Sequence, residues 1–152
     1  AAALALAHGG IGEDPERGDA GWAGAVVELR GGEIARVTVA AAVGGQDAFL
    51  AARLAEGAAH MGVGIALSEE VVHHDAVCDG RFRVLGVLKQ KHTPPLVALT
   101  VARGGTAREV SEPAVAAVAA AVANAVGAVE DAGRRLPLKG SGAAREIGRA
   151  HV

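Results

Sequence analysis

Between Asp47 and Glu70 the chain reads as a helix, with Leu50, Leu54, Met61 and Ile65 recurring on one face. Three glycines interrupt it, Gly57, Gly62 and Gly64. Each costs about 1 kcal/mol relative to alanine inside a helix. A helix that keeps all three needs something close by: another backbone, a ligand, or a sheet packed tightly against it.

A second helix opens at Ser111-Glu112-Pro113. Its valines, 115, 118, 122, 126 and 129, recur at spacings of 3, 4, 4 and 3, which is a helical stripe. Ser111 is a suitable N-cap, Glu112 in the first turn suits the positive end of the helix dipole, and proline is tolerated there. Asp131-Ala132-Gly133 is the stop signal. On these grounds Glu112 is a helix-start residue, and its carboxylate is also well placed to serve as a base.

The remaining segments read as strands. Ala23–Arg30 and Glu33–Val43 flank Gly31-Gly32, a two-residue hairpin signal because both glycines accept positive φ. Gly44-Gly45 ends the second strand. Short strands are expected at Val71–His73, Arg81–Leu88 and Leu96–Ala102, with a last one at Arg135–Leu138 returning to the sheet. Residues 1–8 read as the end of a helix closed by Gly9-Gly10, and 11–20 as a polar loop. The expected class is α+β, a mixed or antiparallel sheet with two long helices packed against it.

With 152 residues the chain is about one domain long, and its 51% hydrophobic content can fill a core. That core must be built from Ala, Val and Leu, since there are only two Phe, one Trp and no Tyr. A net charge of −2 gives no electrostatic footprint for nucleic acid or an acidic membrane surface. The single Cys78 excludes an internal disulfide and a cysteine-based zinc site, and fits the reducing cytoplasm. No uninterrupted apolar run reaches the roughly 20 residues of a membrane span, and the apolar start lacks the basic leader of a signal peptide.

Several smaller patterns carry little chemistry. His73 and His74 are neighbours on a strand and point to opposite faces, so they do not chelate one ion. His60 reads as a packed histidine and Lys89-Gln90-Lys91-His92 as a solvated basic turn. Gly62-Val63-Gly64 lies inside a helix and is not a dinucleotide fingerprint.

Three segments in order resemble the C-terminal part of the molybdenum-binding subunit of the xanthine dehydrogenase/aldehyde oxidase family. They are the hairpin from Gly21-Trp22 to Ala40; the segment Glu56-Gly57-Ala58-Ala59-His60-Met61-Gly62-Val63-Gly64-Ile65-Ala66-Leu67-Ser68-Glu69-Glu70; and Val110-Ser111-Glu112-Pro113 through Asn124-Ala125-Val126 to Leu136-Pro137-Leu138. Met61, with Phe82-Arg83 and Leu85-Gly86, leans towards the selenium-dependent xanthine dehydrogenase branch.

The resemblance implies that residues 21–139 are a fragment of a larger molybdopterin-binding domain, after a partial leading segment at 1–20. Residues 140–152 resemble a linker followed by translated adapter DNA and are set aside as non-native. The implied activity is oxidative hydroxylation of purines or aldehydes with water, inactive in the isolated fragment. Glu112 is implied as the general base towards a metal-bound hydroxyl, with Met61, Gly62 and Ser111 beside the molybdopterin and no metal ligand on this chain. The implied partners are the remainder of the molybdenum subunit and iron–sulfur and FAD subunits. The alternative is a degenerate, non-catalytic α+β module that serves subunit packing. Two differences from the family pattern stand out: Gly44-Gly45-Gln46-Asp47 follows the hairpin, and Glu109-Val110-Ser111 precedes the base.

Overall fold

The computed structural model describes residues 2–8, 21–102, 105–107, 109–129, 135–138 and 141–144. The expected loop at 11–20, the stop at Asp131-Ala132-Gly133 and the end of the tail lie outside the described residues. A four-stranded sheet has the order β1-β2-β3-β6, formed by β1 (Ala2–His8), β2 (Trp22–Arg30), β3 (Glu33–Val43) and β6 (Leu96–Ala102). The first three are antiparallel, and β6 joins β3 in parallel, from Val37↔Leu96 to Val43↔Ala102. That parallel pairing needs a crossover connection. It is supplied by helix α1 (Ala48–Leu67), the hairpin β4 (Val72–His74) and β5 (Val77–Asp79), the one-turn helix α2 (Phe82–Leu85) and a 3₁₀ turn at Gln90–His92. Helix α3 (Ser111–Val129) follows β6. The class is α+β, as the alternation of patterns predicts.

Gly31 and Gly32 take φ values of 61° and 88° and close the β2–β3 hairpin. Strand alternation then puts Ala23, Ala25, Val27 and Leu29 of β2 and Val37, Val39, Ala41 and Val43 of β3 on one buried face. Both long helices cover this face, α3 over β1 and β2 and α1 over β3 and β6. Their buried sides are almost wholly Ala and Val, including Ala51, Ala55, Ala58, Ala59 and Val63 on α1 and Ala117, Val118, Ala121 and Val122 on α3. Small side chains let the layers approach closely. The α1 face that carries Leu50, Leu54 and Met61 points outward, with all three exposed, while the buried side of the helix is alanine, glycine and valine up to Leu67 at its end.

The three helix glycines separate into different cases. A Cβ on Gly62 would lie 2.8 Å from the Val115 carbonyl oxygen and 2.9 Å from Val118 Cβ, so α3 crosses α1 where a side chain would sit. A Cβ on Gly64 would lie 2.1 Å from the Glu69 carboxylate and 3.2 Å from Leu88 Cβ. A Cβ on Gly57 would meet nothing within 4 Å.

Four segments differ from expectation. Ala2–His8 is a strand paired with β2, from Ala2↔Glu28 to His8↔Trp22. Its alternating Ala-Leu sequence gains a full ladder there, which overrides alanine's helix preference. The strand expected at Arg81–Leu88 is α2. Asp79 Oδ1 accepts from the Arg81 backbone N–H at 3.2 Å to turn the chain. Gly86 at φ 70° then ends the helix, with Ser68 O 2.3 Å from where its Cβ would be. The expected strand at Arg135–Leu138 is a bend that returns to α1 and not to the sheet: the Leu138 N–H donates to Ala66 O at 2.8 Å. Ser141 and Ala143, read as linker, are buried, and Ser141 Oγ accepts from the Ala144 N–H at 3.1 Å.

By length and composition α3 is apolar enough to cross a membrane over Ser111–Ala128, and half of that window is buried inside the fold. A core helix packed on a sheet meets the same description.

Gly62→Ala forces the two helices apart and is expected to destabilise the chain by about 1–3 kcal/mol, read as a lower urea midpoint. An unchanged midpoint would mean that α1 and α3 do not meet as described.

Candidate functional site

The start of α3 is held at one end of the sheet by close backbone contacts. A Cβ on Gly21, just before β2, would lie 1.8 Å from Glu109 O, and one on Gly44, just after β3, 1.7 Å from Thr106 O. The segment entering α3 therefore rests directly on the glycines that begin β2 and end β3. Gln46 Oε1 accepts from the Gly44 N–H at 3.0 Å, and Asp47 Oδ1 caps α1 by accepting from the Leu50 N–H at 2.8 Å.

Ser111 is the first residue of α3 and not its cap. Glu109 Oε1 accepts from the Ser111 N–H at 2.6 Å, and Val110 O accepts from the Ala114 N–H at 3.3 Å. A carboxylate at this position satisfies one of the unpaired amides and faces the positive helix end. Pro113 is buried in the first turn, where it has no amide to satisfy. Glu112 points to solvent. Glu109 was missed as a site residue, because its role depends on the backbone turn between it and Ser111.

The α1–α3 crossing brings Gly62 against the early part of α3. Gly62 touches Val115 O, three residues along α3 from Glu112 and roughly 4.5 Å along the helix axis. Gly62 is filled by α3, so its missing side chain is explained without a ligand. Met61 beside it is exposed, and Ser111 is half-buried.

These residues do not make a cradle for an anionic molybdopterin. The Ser111 amide is already taken by Glu109, Pro113 has none, and Glu109 and Glu112 are two carboxylates at the same helix start. Of the four predicted site residues, Glu112 alone can exchange a proton. Among the described residues none covers it.

His60, expected to be packed, anchors the connection to β6. Its Nε2 donates to Leu88 O at 3.0 Å, which leaves Nδ1 to accept from the Thr93 hydroxyl at 2.7 Å. His73 and His74 are both exposed on β4, with His73 opposite Cys78, and no group of three potential ligands converges among the described residues. In the same hairpin, hydrogen bonds from the Arg81 side chain and then its amide lower the Asp79 pKa from 3.8 to about 2.

No family model matches the chain, and no curated protein matches it by sequence. Its fold is similar to a segment of several longer solved proteins. A copper- and molybdenum-containing CO dehydrogenase in the carbon monoxide-reduced state superposes with a TM-score of 0.61 at 14% identity, covering 85% of this chain and 18% of that one. Reconstituted CO dehydrogenase from Oligotropha carboxidovorans gives 0.63 at 16% identity over 87% and 19% of the two chains. Quinoline 2-oxidoreductase from Pseudomonas putida 86 gives 0.60 at 15% identity over 85% and 18%. The chain spans less than a fifth of the length of each of these structures.

Replacing His60 with Leu leaves the Leu88 carbonyl and the Thr93 hydroxyl without their partner. The expected loss is about 1–3 kcal/mol of stability, measured by urea unfolding. A loss no larger than that of an exposed substitution would mean the histidine does not hold this segment.

Proposed function

We propose that this chain is part of the catalytic subunit of a molybdenum hydroxylase of the xanthine dehydrogenase/aldehyde oxidase type, and that Glu112 is its general base. The observation that carries the reading is the position of Glu112, exposed in the first turn of α3 one turn from the α1 crossing, in a fold similar to a segment of CO dehydrogenase. The order of the hairpin, the glycine-punctuated helix and the Ser111-Glu112-Pro113 helix supports it.

In this reading the chain supplies one proton acceptor and a rigid mount for it. The glycine seats at Gly21 and Gly44 and the Glu109 cap fix the helix start, and the α1 crossing fixes its direction. Molybdopterin is held by the rest of the subunit, with Met61 and Ser111 at its margin, and supplies the oxidation chemistry when bound. The walls that exclude water from Glu112 come from the same source. Iron–sulfur and FAD partners would accept the electrons, and the substrate would be a purine or an aldehyde. The compartment is the cytoplasm, where the exposed, unpaired Cys78 stays reduced.

Glu112→Gln keeps the size and polarity of the side chain but removes its basicity. In the full-length subunit it is expected to lower hydroxylation by about 10²–10⁴-fold with molybdenum content unchanged. Near-wild-type turnover would leave Glu112 as a helix-start residue and the chain as a packing module.

A further inference from the structure

Gly57 is the one α1 glycine interrupting the central helix pattern that the fold does not explain. It is exposed, and a side chain there would meet nothing within 4 Å. Leu50, Leu54, Gly57 and Met61 recur at spacings of 4, 3 and 4, so they form one stripe along the outer side of α1. Leu50 is 55% exposed, Leu54 45% and Met61 53%. One flank of the stripe is polar: Arg53 lies over the Phe49 ring at 5.5 Å and pairs with Glu56 at 2.6 Å. An apolar strip with a polar border and a glycine notch is the form of a helix surface that receives another backbone.

The molecule already uses this device on a different side of the same helix. At Gly62 the notch is filled by the Val115 carbonyl and Val118 of α3. At Gly57 the notch is empty while the flanking leucines are in place. A glycine in an exposed helix interior weakens the helix, and among the described residues no contact compensates for it.

We infer that the Leu50–Leu54–Gly57–Met61 stripe is covered by an apolar polypeptide segment from the rest of a larger subunit, crossing α1 with its backbone against Gly57. The choice of occupant rests on the proposed function and on length, because the chains of similar fold are covered only to 18–19% by this one. The far end of the stripe, Met61, adjoins the crossing beside Glu112, so the same segment helps wall the site.

The test compares two contexts, this 152-residue chain and the full-length subunit. In the chain alone, Gly57→Ala is expected to raise Tm by about 2–4 °C and Gly57→Leu to fold normally. In the full-length subunit, Gly57→Leu is expected to lower Tm, and hydroxyl-radical labelling of Leu50, Leu54 and Met61 to fall at least several-fold relative to the chain alone. Equal labelling in the two contexts, or a full-length Gly57→Leu protein as stable as wild type, overturns the inference. A concentration-dependent dimer of the chain that Gly57→Leu dissolves also overturns it, in favour of a second copy. The two readings fail separately. Protection with an active Glu112→Gln variant keeps this surface and removes the base; equal labelling with an inactive variant does the reverse.

Discussion

The Val115 carbonyl and Val118 occupy the space that a side chain on Gly62 would fill, and the arrangement of both helices follows from that contact. Helix α1 lies over β3 and β6 and α3 over β1 and β2, so their crossing ties the two halves of the sheet into one core. With two Phe and one Trp in the chain, large aromatic side chains do little of the filling. Close approach of Ala- and Val-faced layers replaces bulk as the source of dense packing.

The same principle acts at the end of the sheet. Gly21 and Gly44 have no side chain because Glu109 O and Thr106 O lie where one would project. These contacts fix where α3 begins, and the Glu109 carboxylate satisfies its first amide. Glu112 is thus carried on a defined helix turn while remaining in solvent. Among the described residues nothing covers it.

Much of the fold was legible because its signals are local. The Gly31-Gly32 turn, the two long strands beside it, the two long helices and the strand at Leu96–Ala102 each have a period or a turn residue that identifies them. What failed depended on distant partners. Ala2–His8 has the composition of a helix and becomes a strand through its ladder with β2. Arg81–Leu88 has strand-like residues, but the Asp79 turn and the Ser68 carbonyl against Gly86 make it helical. The β4–β5 turn places Asp75 and Ala76 at φ 47° and 66°, and with no glycine present the sequence did not announce it. The period placed Leu50, Leu54 and Met61 on one face of α1 but not which way that face points, and the structure turns it outward.

The site was legible in part. Spacing alone made Glu112 a helix-start residue, and the fold puts it in the first turn of α3, three residues before the Val115 that meets Gly62. Gly62 itself proves to be a packing residue, and the Glu109 cap could be found only from the folded backbone.

Native-state hydrogen exchange is the most direct check on the claim that the α1–α3 crossing organises the molecule. Amides of Ala58–Ala66 on α1 and Ala114–Val122 on α3 are expected to share the protection of β2 and β3, exchanging only through global unfolding. Sub-global opening of either helix while the sheet stays protected would contradict the account.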